Sequence, residues 1–358
     1  MGSIHKTPIF FRSKPIFGLD IGKGSLKAAQ LSLDDPARPK LIGYGTTNFD
    51  TNAVEEGAIV KPELIAEAAK TLFDKGLVGD VTSLRAAMTI PSYRTFTRSI
   101  QLPLLKQHEL ADAVRLEAEQ YIPLSLDELY LDYTVLSQSD ESMEVLAVAV
   151  PKIIVDSYMD LAAIMGVEVV LIESTMSSVG RLFARDAQSD VASVIIDFGT
   201  LSADISIYDH GIVTTGTVDA GGELFTRAIE EGLKVSSAEA SIIKTKYGLG
   251  RSRRQSEIHT ALEPILQKIT GEIKRLIRYH AEHHGPDRPI QQVVTMGGGA
   301  NVPGLNDYFT SSLRLAVRSL DPWQSIELSG LQPPVIHDRP MFASVIGLAL
   351  APPHGVFK

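Results

Sequence analysis

Apolar positions recur in two rhythms along this chain. Short apolar runs bounded by glycine or polar turns predict strands at Ile16 to Asp20, Leu26 to Leu31, Arg85 to Ile90, Arg98 to Leu102, Leu129 to Leu136, Met143 to Val150, Glu168 to Ile172, Val191 to Asp197, Ala203 to Tyr208 and Gln291 to Met296. Between them, apolar residues spaced by three and four predict helices at Pro62 to Lys75, Lys106 to Ile122, Ile153 to Met165, Gly222 to Gly232, Ser237 to Tyr247 and Ile258 to His284. Along Lys106 to Ile122 the residues Leu110, Ala113, Val114, Ala118, Tyr121 and Ile122 share one side, and Pro123 ends the helix. Core packing is the expected role of Tyr121 and Ile122. Strands alternating with helices predict α/β architecture. A length of 358 residues exceeds one ordinary core, so two lobes are expected.

Composition narrows the function classes. Hydrophobic content of 44% and charged content of 22% are those of a globular protein. A net charge of −9 argues against a nucleic-acid footprint, which needs a basic surplus. The absence of cysteine excludes disulfides, thiolate metal sites and cysteine nucleophiles, and fits a reducing cytoplasm. The first residues, MGSIHKTPIF, lack the apolar core of a signal peptide. The most apolar region, Val145 to Ile172, is broken by Lys152, Asp156, Asp160 and Glu168, whereas a span needs roughly 20 uninterrupted apolar residues. No direct membrane insertion is expected.

Two segments repeat one design. IFGLDIGKGSLKAAQL and VIIDFGTLSADISIY each run strand, Asp, apolar residue, Gly, polar turn, strand. The pair suggests duplicated lobes, each offering one hairpin. A glycine turn lets backbone N–H groups approach phosphate oxygens. Ser25 and Thr200 add hydroxyl donors. Lys23 either neutralises phosphate charge or is a solvated loop lysine. Asp20 and Asp197, facing each other across a cleft, would hold Mg²⁺ through its waters, because that ion dehydrates reluctantly. A third element, VVTMGGGANVPGL, ends a strand in Gly297, Gly298 and Gly299, a turn that lets backbone pass close to a purine. Together the three elements suit a nucleoside triphosphate.

These three motifs resemble the actin-like ATPase superfamily, with its phosphate-1, phosphate-2 and adenosine loops. ESTMSSVGRLF (Glu173 to Phe183) and MFASVIGLALA (Met341 to Ala351) resemble its two connecting helices, whose small residues suit a close crossing. AMTIPSYRTFTRSIQLP and LADAVRLEAEQYIPLSLDELYLDYTVL resemble the inserted subdomain of the PilM family of type IV pilus assembly. The resemblance runs from about Ile16 to Ala351 and implies an actin-like, ribonuclease H-like two-lobed fold. It implies a lobe 1 core at 1–86, completed by 171–190 and 338–358, with an inserted subdomain at 87–170. Lobe 2 would comprise a core at 191–217 and 291–337 and a smaller subdomain at 218–290.

The same resemblance implies ATP and Mg as cofactors. It assigns Asp20, Gly22, Lys23 and Ser25 to the first phosphate loop, Asp197, Gly199 and Thr200 to the second, and Gly297, Gly298 and Gly299 to the adenosine loop. Gly221 and Gly222 match the turn near the ribose. Lys244 matches a ribose-side lysine, although Ser241 stands where related proteins carry Glu. Glu173, expected at the start of the first connecting helix, is the candidate for ordering an attacking water. The implied partner is the cytoplasmic N-terminal peptide of PilN, bound in a groove beside Glu117 to Pro123, with other platform and motor proteins as further partners. The implied location is cytoplasmic and peripheral to the inner membrane.

Other readings use the same motifs. An FtsA-like division filament protein would carry a C-terminal amphipathic helix, but this sequence ends APPHGVFK. A sugar or acid kinase needs an Asp base in a substrate pocket, and no such constellation is visible. The iron–sulfur activator ATPases require cysteines. His280, His283 and His284 have metal-compatible spacing, yet histidines at a helix C-terminus also suit the dipole. Arg251, Arg253 and Arg254 read as solvated surface.

Overall fold

A computed structural model describes residues 14–284 and 288–352. Its strands form two large sheets among the described residues. The first is six-stranded, in the order Glu168–Ser174, Arg85–Ile90, Phe17–Ile21, Ser25–Ser32, Lys40–Asn48 and Leu77–Gly79. The second is eight-stranded, in the order Ala316–Ser319, Gln292–Met296, Ser193–Phe198, Ala203–Tyr208, Ile212–Val218, Phe96–Pro103, Ser142–Pro151 and Leu129–Gln138.

The central strands of both sheets are covered on both faces, which explains their apolar sequences. Strand alternation sorts side chains between the faces. In lobe 1, Phe17, Leu19 and Ile21 enter a core with Ile65 of helix Pro62–Thr71 and with Ile154, Tyr158 and Leu161 of helix Lys152–Met165. In lobe 2, Val194, Ile196 and Phe198 pack with Phe225, Ile229, Leu266 and Phe309 from helices Gly222–Leu233, Gln255–His284 and Leu305–Leu313. The intervening Ile195 belongs to a third core, between the lobes. Parity therefore turns Asp197 towards the other lobe.

Two helices fill the space between the sheets. Met176, Val179 and Phe183 of Thr175–Phe183 pack with Ala343, Val345 and Ile346 of Ala343–Ala349. A Cβ on Gly347 would fall 2.1 Å from the carbonyl oxygen of Ser178, so glycine permits this crossing.

The inserted segment leaves lobe 1 after Ile90 but joins the sheet of lobe 2. Its strand Phe96–Pro103 runs antiparallel to Ile212–Val218, with Arg98 registered on Thr214. Helix Gln107–Tyr121 covers its three strands through Leu110 and Val114, which pack with Ile100, Leu102, Met143, Val145 and Ala147. Ile122 is buried in a small neighbouring core, where Tyr121 packs half-buried. Helix Lys152–Met165, expected within the insert, instead packs into the lobe 1 core because its apolar face carries Ile154, Tyr158, Leu161 and Ala162.

Candidate functional site

The two hairpins face each other across a cleft of about 610 Å³, a volume suited to a small-molecule ligand. Its wall includes Asp20, Gly22, Lys23, Ser25, Asp197, Gly199, Thr200, Gly222, Lys244, Gly297, Gly298 and Gly299. The sequence-selected residues thus converge, with two exceptions: Gly221 and Glu173.

Glu173 is the sixth residue of the strand Glu168–Ser174 rather than part of the helix, because the strand continues in register with Thr89 and Ser174 is the helix cap. Both carboxylate oxygens of Glu173 accept from Arg181, at 2.6 Å each, and Arg181 also donates to the Gly347 carbonyl at 2.9 Å. The expected water-ordering residue is therefore engaged in bracing the two central helices.

Gly221 supports the second turn from behind. Its N–H donates to the Leu201 carbonyl at 3.0 Å, and those of Gly222 and Glu223 donate to Gly199 and Thr200 at 3.0 Å each. A Cβ on Gly221 would fall 2.3 Å from the Thr200 carbonyl oxygen. The N-terminus of this helix is thus spent on holding the turn. By contrast, the backbone amides of Lys23, Gly24, Thr200 and Leu201 donate to no described carbonyl, while Gly22 to Ser25 and Gly199 to Ser202 bonds close the two turns.

The third turn is built around Asp197. Gly297 has φ +79°, and a Cβ there would fall 2.2 Å from Asp197 Oδ1. Nothing stands within 4 Å of a Cβ built on Gly298.

Equivalent ladder positions carry different charges. Lys27 pairs with Asp20 in the first hairpin, and Asp204 pairs with Asp197 in the second. Lys27 Nζ donates to Asp20 Oδ2 at 3.1 Å and to Ser25 Oγ at 3.3 Å, and Thr89 donates to Asp20 Oδ1 at 2.6 Å. Burial alone would raise the Asp20 pKa, but Lys27, with hydrogen bonds from Thr89 and Ser344, outweighs it and holds the group below its ordinary value. Burial pushes Asp197 up to about 7, aided by repulsion from Asp204 and Asp20. Burial likewise pushes Asp204 up to about 6, against hydrogen bonds from Thr217 and Ser202. Lys27 and Asp204 both line the cleft. Sequence reading missed them, although their equivalent places in the two repeated hairpins carried the signal.

The other selected cations are partly engaged. Lys23 Nζ donates to the Val54 carbonyl at 2.5 Å. Lys244 Nζ donates to the Gly222 carbonyl at 2.9 Å and to Thr226 Oγ1 at 2.8 Å, and burial lowers its pKa. Ser241 is exposed. Arg254 bonds Glu257 at 2.7 Å, as a surface pair.

Away from the cleft, buried His280 lies 3.4 Å from Asp209, which Arg288 also pairs at 2.5 Å. The side chains of His283 and His284 lie outside the described residues, as do the terminal segments MGSIHKTPIF and 353–358. Among the described residues no cluster of His, Asp and Glu is arranged to hold a metal by itself, and no helix is long and apolar enough to cross a membrane. Adjacent carboxylates at partly buried Asp197 and buried Asp204 do fit a hydrated cation, whose charge would relieve their repulsion.

A family profile described as Type IV pilus assembly protein PilM matches residues 18–352. Among solved structures, the PilM-PilN type IV pilus biogenesis complex is similar at a TM-score of 0.81 and 23% identity, over 97% of this chain and 100% of that one. MreB 5 of Spiroplasma citri bound to AMPPNP is similar at a TM-score of 0.54 and 14% identity, over 94% of this chain and 95% of that one. The cell division protein FtsA of Bacillus subtilis (strain 168) is 22% identical, over 85% of this chain and 78% of its own length. FtsA of Neisseria meningitidis serogroup B is 24% identical over 47% of this chain, which spans 44% of that relative's length. The structural likenesses identify the fold as actin-like.

Proposed function

The chain belongs to the PilM family of type IV pilus assembly proteins, and we propose that it is the cytoplasmic, ATP-binding scaffold of the pilus platform that holds the N-terminal peptide of PilN. The observation that carries the nucleotide reading is the pair of glycine turns facing one another across the cleft, with four unclaimed backbone amides at Lys23, Gly24, Thr200 and Leu201. Those amides suit phosphate oxygens. Lys23 and Lys27 supply positive charge beside them, and Gly297 to Gly299, with Lys244, form the nucleoside end.

Mg²⁺, when bound, screens the triphosphate charge. Asp20 and Asp197 would hold it through its waters, and Asp204 stands beside Asp197 to share that role. Asp204 is also better placed than Glu173 to order a water, because it lines the cleft while Glu173 is occupied by Arg181. In-line attack depends on such placement.

The PilN reading is supported by family membership and by likeness to the PilM-PilN complex. Peripheral association with the inner membrane would follow from that partner. Calorimetric titration with Mg-ATP, then with a synthetic PilN N-terminal peptide, tests both parts. Binding of both is the expected result. ATP binding without peptide binding would favour an FtsA-like filament protein or a kinase. Equal peptide affinity with and without ATP would remove any coupling between the two sites, since a ligand shifts only equilibria it distinguishes.

A further inference from the structure

We propose that Tyr93 is the residue through which the cleft distinguishes a nucleoside triphosphate from a diphosphate and passes that difference to the inserted subdomain. This inference rests on the proposed nucleotide site and names a reader of the terminal phosphate within it.

Tyr93 belongs to the short turn Ser92–Arg94, where the chain leaves the lobe 1 sheet for the insert. Pro91 and Tyr93 both line the cleft. Tyr93 stands at the phosphate end, since the strand it follows, Arg85–Ile90, runs parallel to Phe17–Ile21 with Thr89 registered on Asp20, beside the first glycine turn. Burial and the Asp204 carboxylate raise its pKa, so the phenol remains a protonated donor at neutral pH. None of the side-chain hydrogen bonds at the site, which tie up Lys23, Lys27, Thr89 and Lys244, involves the Tyr93 hydroxyl. A donor facing the phosphate end, beside carboxylates that only accept, suits the oxygens of a terminal phosphate.

The backbone around Tyr93 is fixed on one side and coupled on the other. Ser92 Oγ accepts from the Met176 N–H at 3.0 Å, which ties the turn to the first central helix. Arg94 pairs with Glu56 of lobe 1. Immediately beyond, Phe96–Pro103 joins lobe 2 through the Arg98 and Thr214 register. Arg98 also stacks on the Tyr121 ring at 4.9 Å, on the helix that covers the insert. A pull on Tyr93 thus acts on the strand that joins the lobes, three residues before it begins.

The far end of the insert returns to the same place. Helix Lys152–Met165 brings Tyr158 into the core behind the first glycine turn, with Leu19, Ile21 and Val54, fully buried and with no hydrogen-bond partner for its hydroxyl among the described residues. Its electrostatic neighbours are Asp20 and Tyr93. The chain therefore places one phenol where it leaves for the insert and another where it comes back, both beside the first phosphate turn. Tyr93 is the accessible one.

The test is Tyr93→Phe, which removes only the hydroxyl. Affinities for Mg-ATP and Mg-ADP are measured by calorimetry, together with hydrogen exchange of Phe96–Pro103 and Ile212–Val218 in each nucleotide state. In the wild-type chain these strands are expected to exchange more slowly with a non-hydrolysable ATP analogue than with ADP. In the variant the ratio of ATP to ADP affinity is expected to fall about tenfold, as for loss of a hydrogen bond to a charged group, and the exchange difference to vanish. A variant that keeps both the wild-type ratio and the exchange difference overturns the role of Tyr93 while leaving nucleotide binding intact. A wild-type chain that binds neither nucleotide overturns the proposed site itself and this inference with it.

Discussion

Asp204 stands across the ladder from Asp197 in the place that Lys27 holds opposite Asp20. The two hairpins share a backbone design, yet one offers an ion pair and the other two carboxylates. In the first hairpin the Asp20 charge is balanced before any ligand arrives, while the second carries repulsion that a cation would relieve.

That asymmetry sets a pH dependence. Asp197, at about 7, and Asp204, at about 6, bind protons more tightly in the folded chain than in the unfolded one. Their contribution favours the fold at low pH and is lost as pH rises through about 6 to 7. Thermal melts from pH 5 to pH 8 should show this loss in the wild-type chain and a flatter profile in Asp204→Asn. Identical profiles for the two would mean that the carboxylates do not repel as described. Added Mg²⁺ should restore stability most at the alkaline end.

Lys27 has the opposite role. Its ammonium offsets the burial of Asp20, both side chains being about a tenth exposed. Lys27→Ala leaves a buried carboxylate alone and should cost about 3–5 kcal/mol in urea unfolding. Combining it with Asp20→Asn should recover part of that loss. Neither variant should retain ATP affinity.

Gly297→Ala should impair the cleft sharply. Its φ of +79° disfavours a side chain, and the added carbon would meet Asp197 Oδ1. The expected cost is about 1–3 kcal/mol, with loss of nucleotide binding read by calorimetry. Gly298→Ala should be far milder in stability, since that position opens onto free space.

Glu173 and Arg181 should behave as one structural unit. Their two-pronged pair ties the first central helix to the strand before it and, through Gly347, to the second. A double-mutant cycle with Glu173→Gln and Arg181→Met should give a coupling of about 1–3 kcal/mol in stability. If Glu173→Gln instead abolished turnover without changing stability, the structural role assigned to this pair would fail.

Much of this arrangement was legible in the sequence because glycine turns and apolar runs are local signals. Phe17–Ile21 and Ser193–Phe198 stood out as strands, and the three glycine turns converge as their shared pattern suggested. The strands Lys40–Asn48 and Ile212–Val218 did not stand out, since KLIGYGTTN and IVTTGTV replace apolar alternation with glycine and threonine. Glu173 was misplaced by one element, because nothing in ESTMSS shows where a strand yields to a helix until Ser174 is seen to cap it. Asp204 and Lys27 were hidden in ordinary strand positions. Aligning the two repeated hairpins by their ladder register is what reveals that they face the cleft.

The bridge between Arg98 and Thr214 also bears on how the molecule is made. Phe96–Pro103 covers what would otherwise be a bare strand border at Ile212–Val218, a segment rich in β-branched residues. During synthesis the insert emerges long before that border exists, so the covering strand waits for its mate. A chain trimmed of its insert would leave the border open to neighbouring molecules, and strand-to-strand clumping would be its characteristic failure.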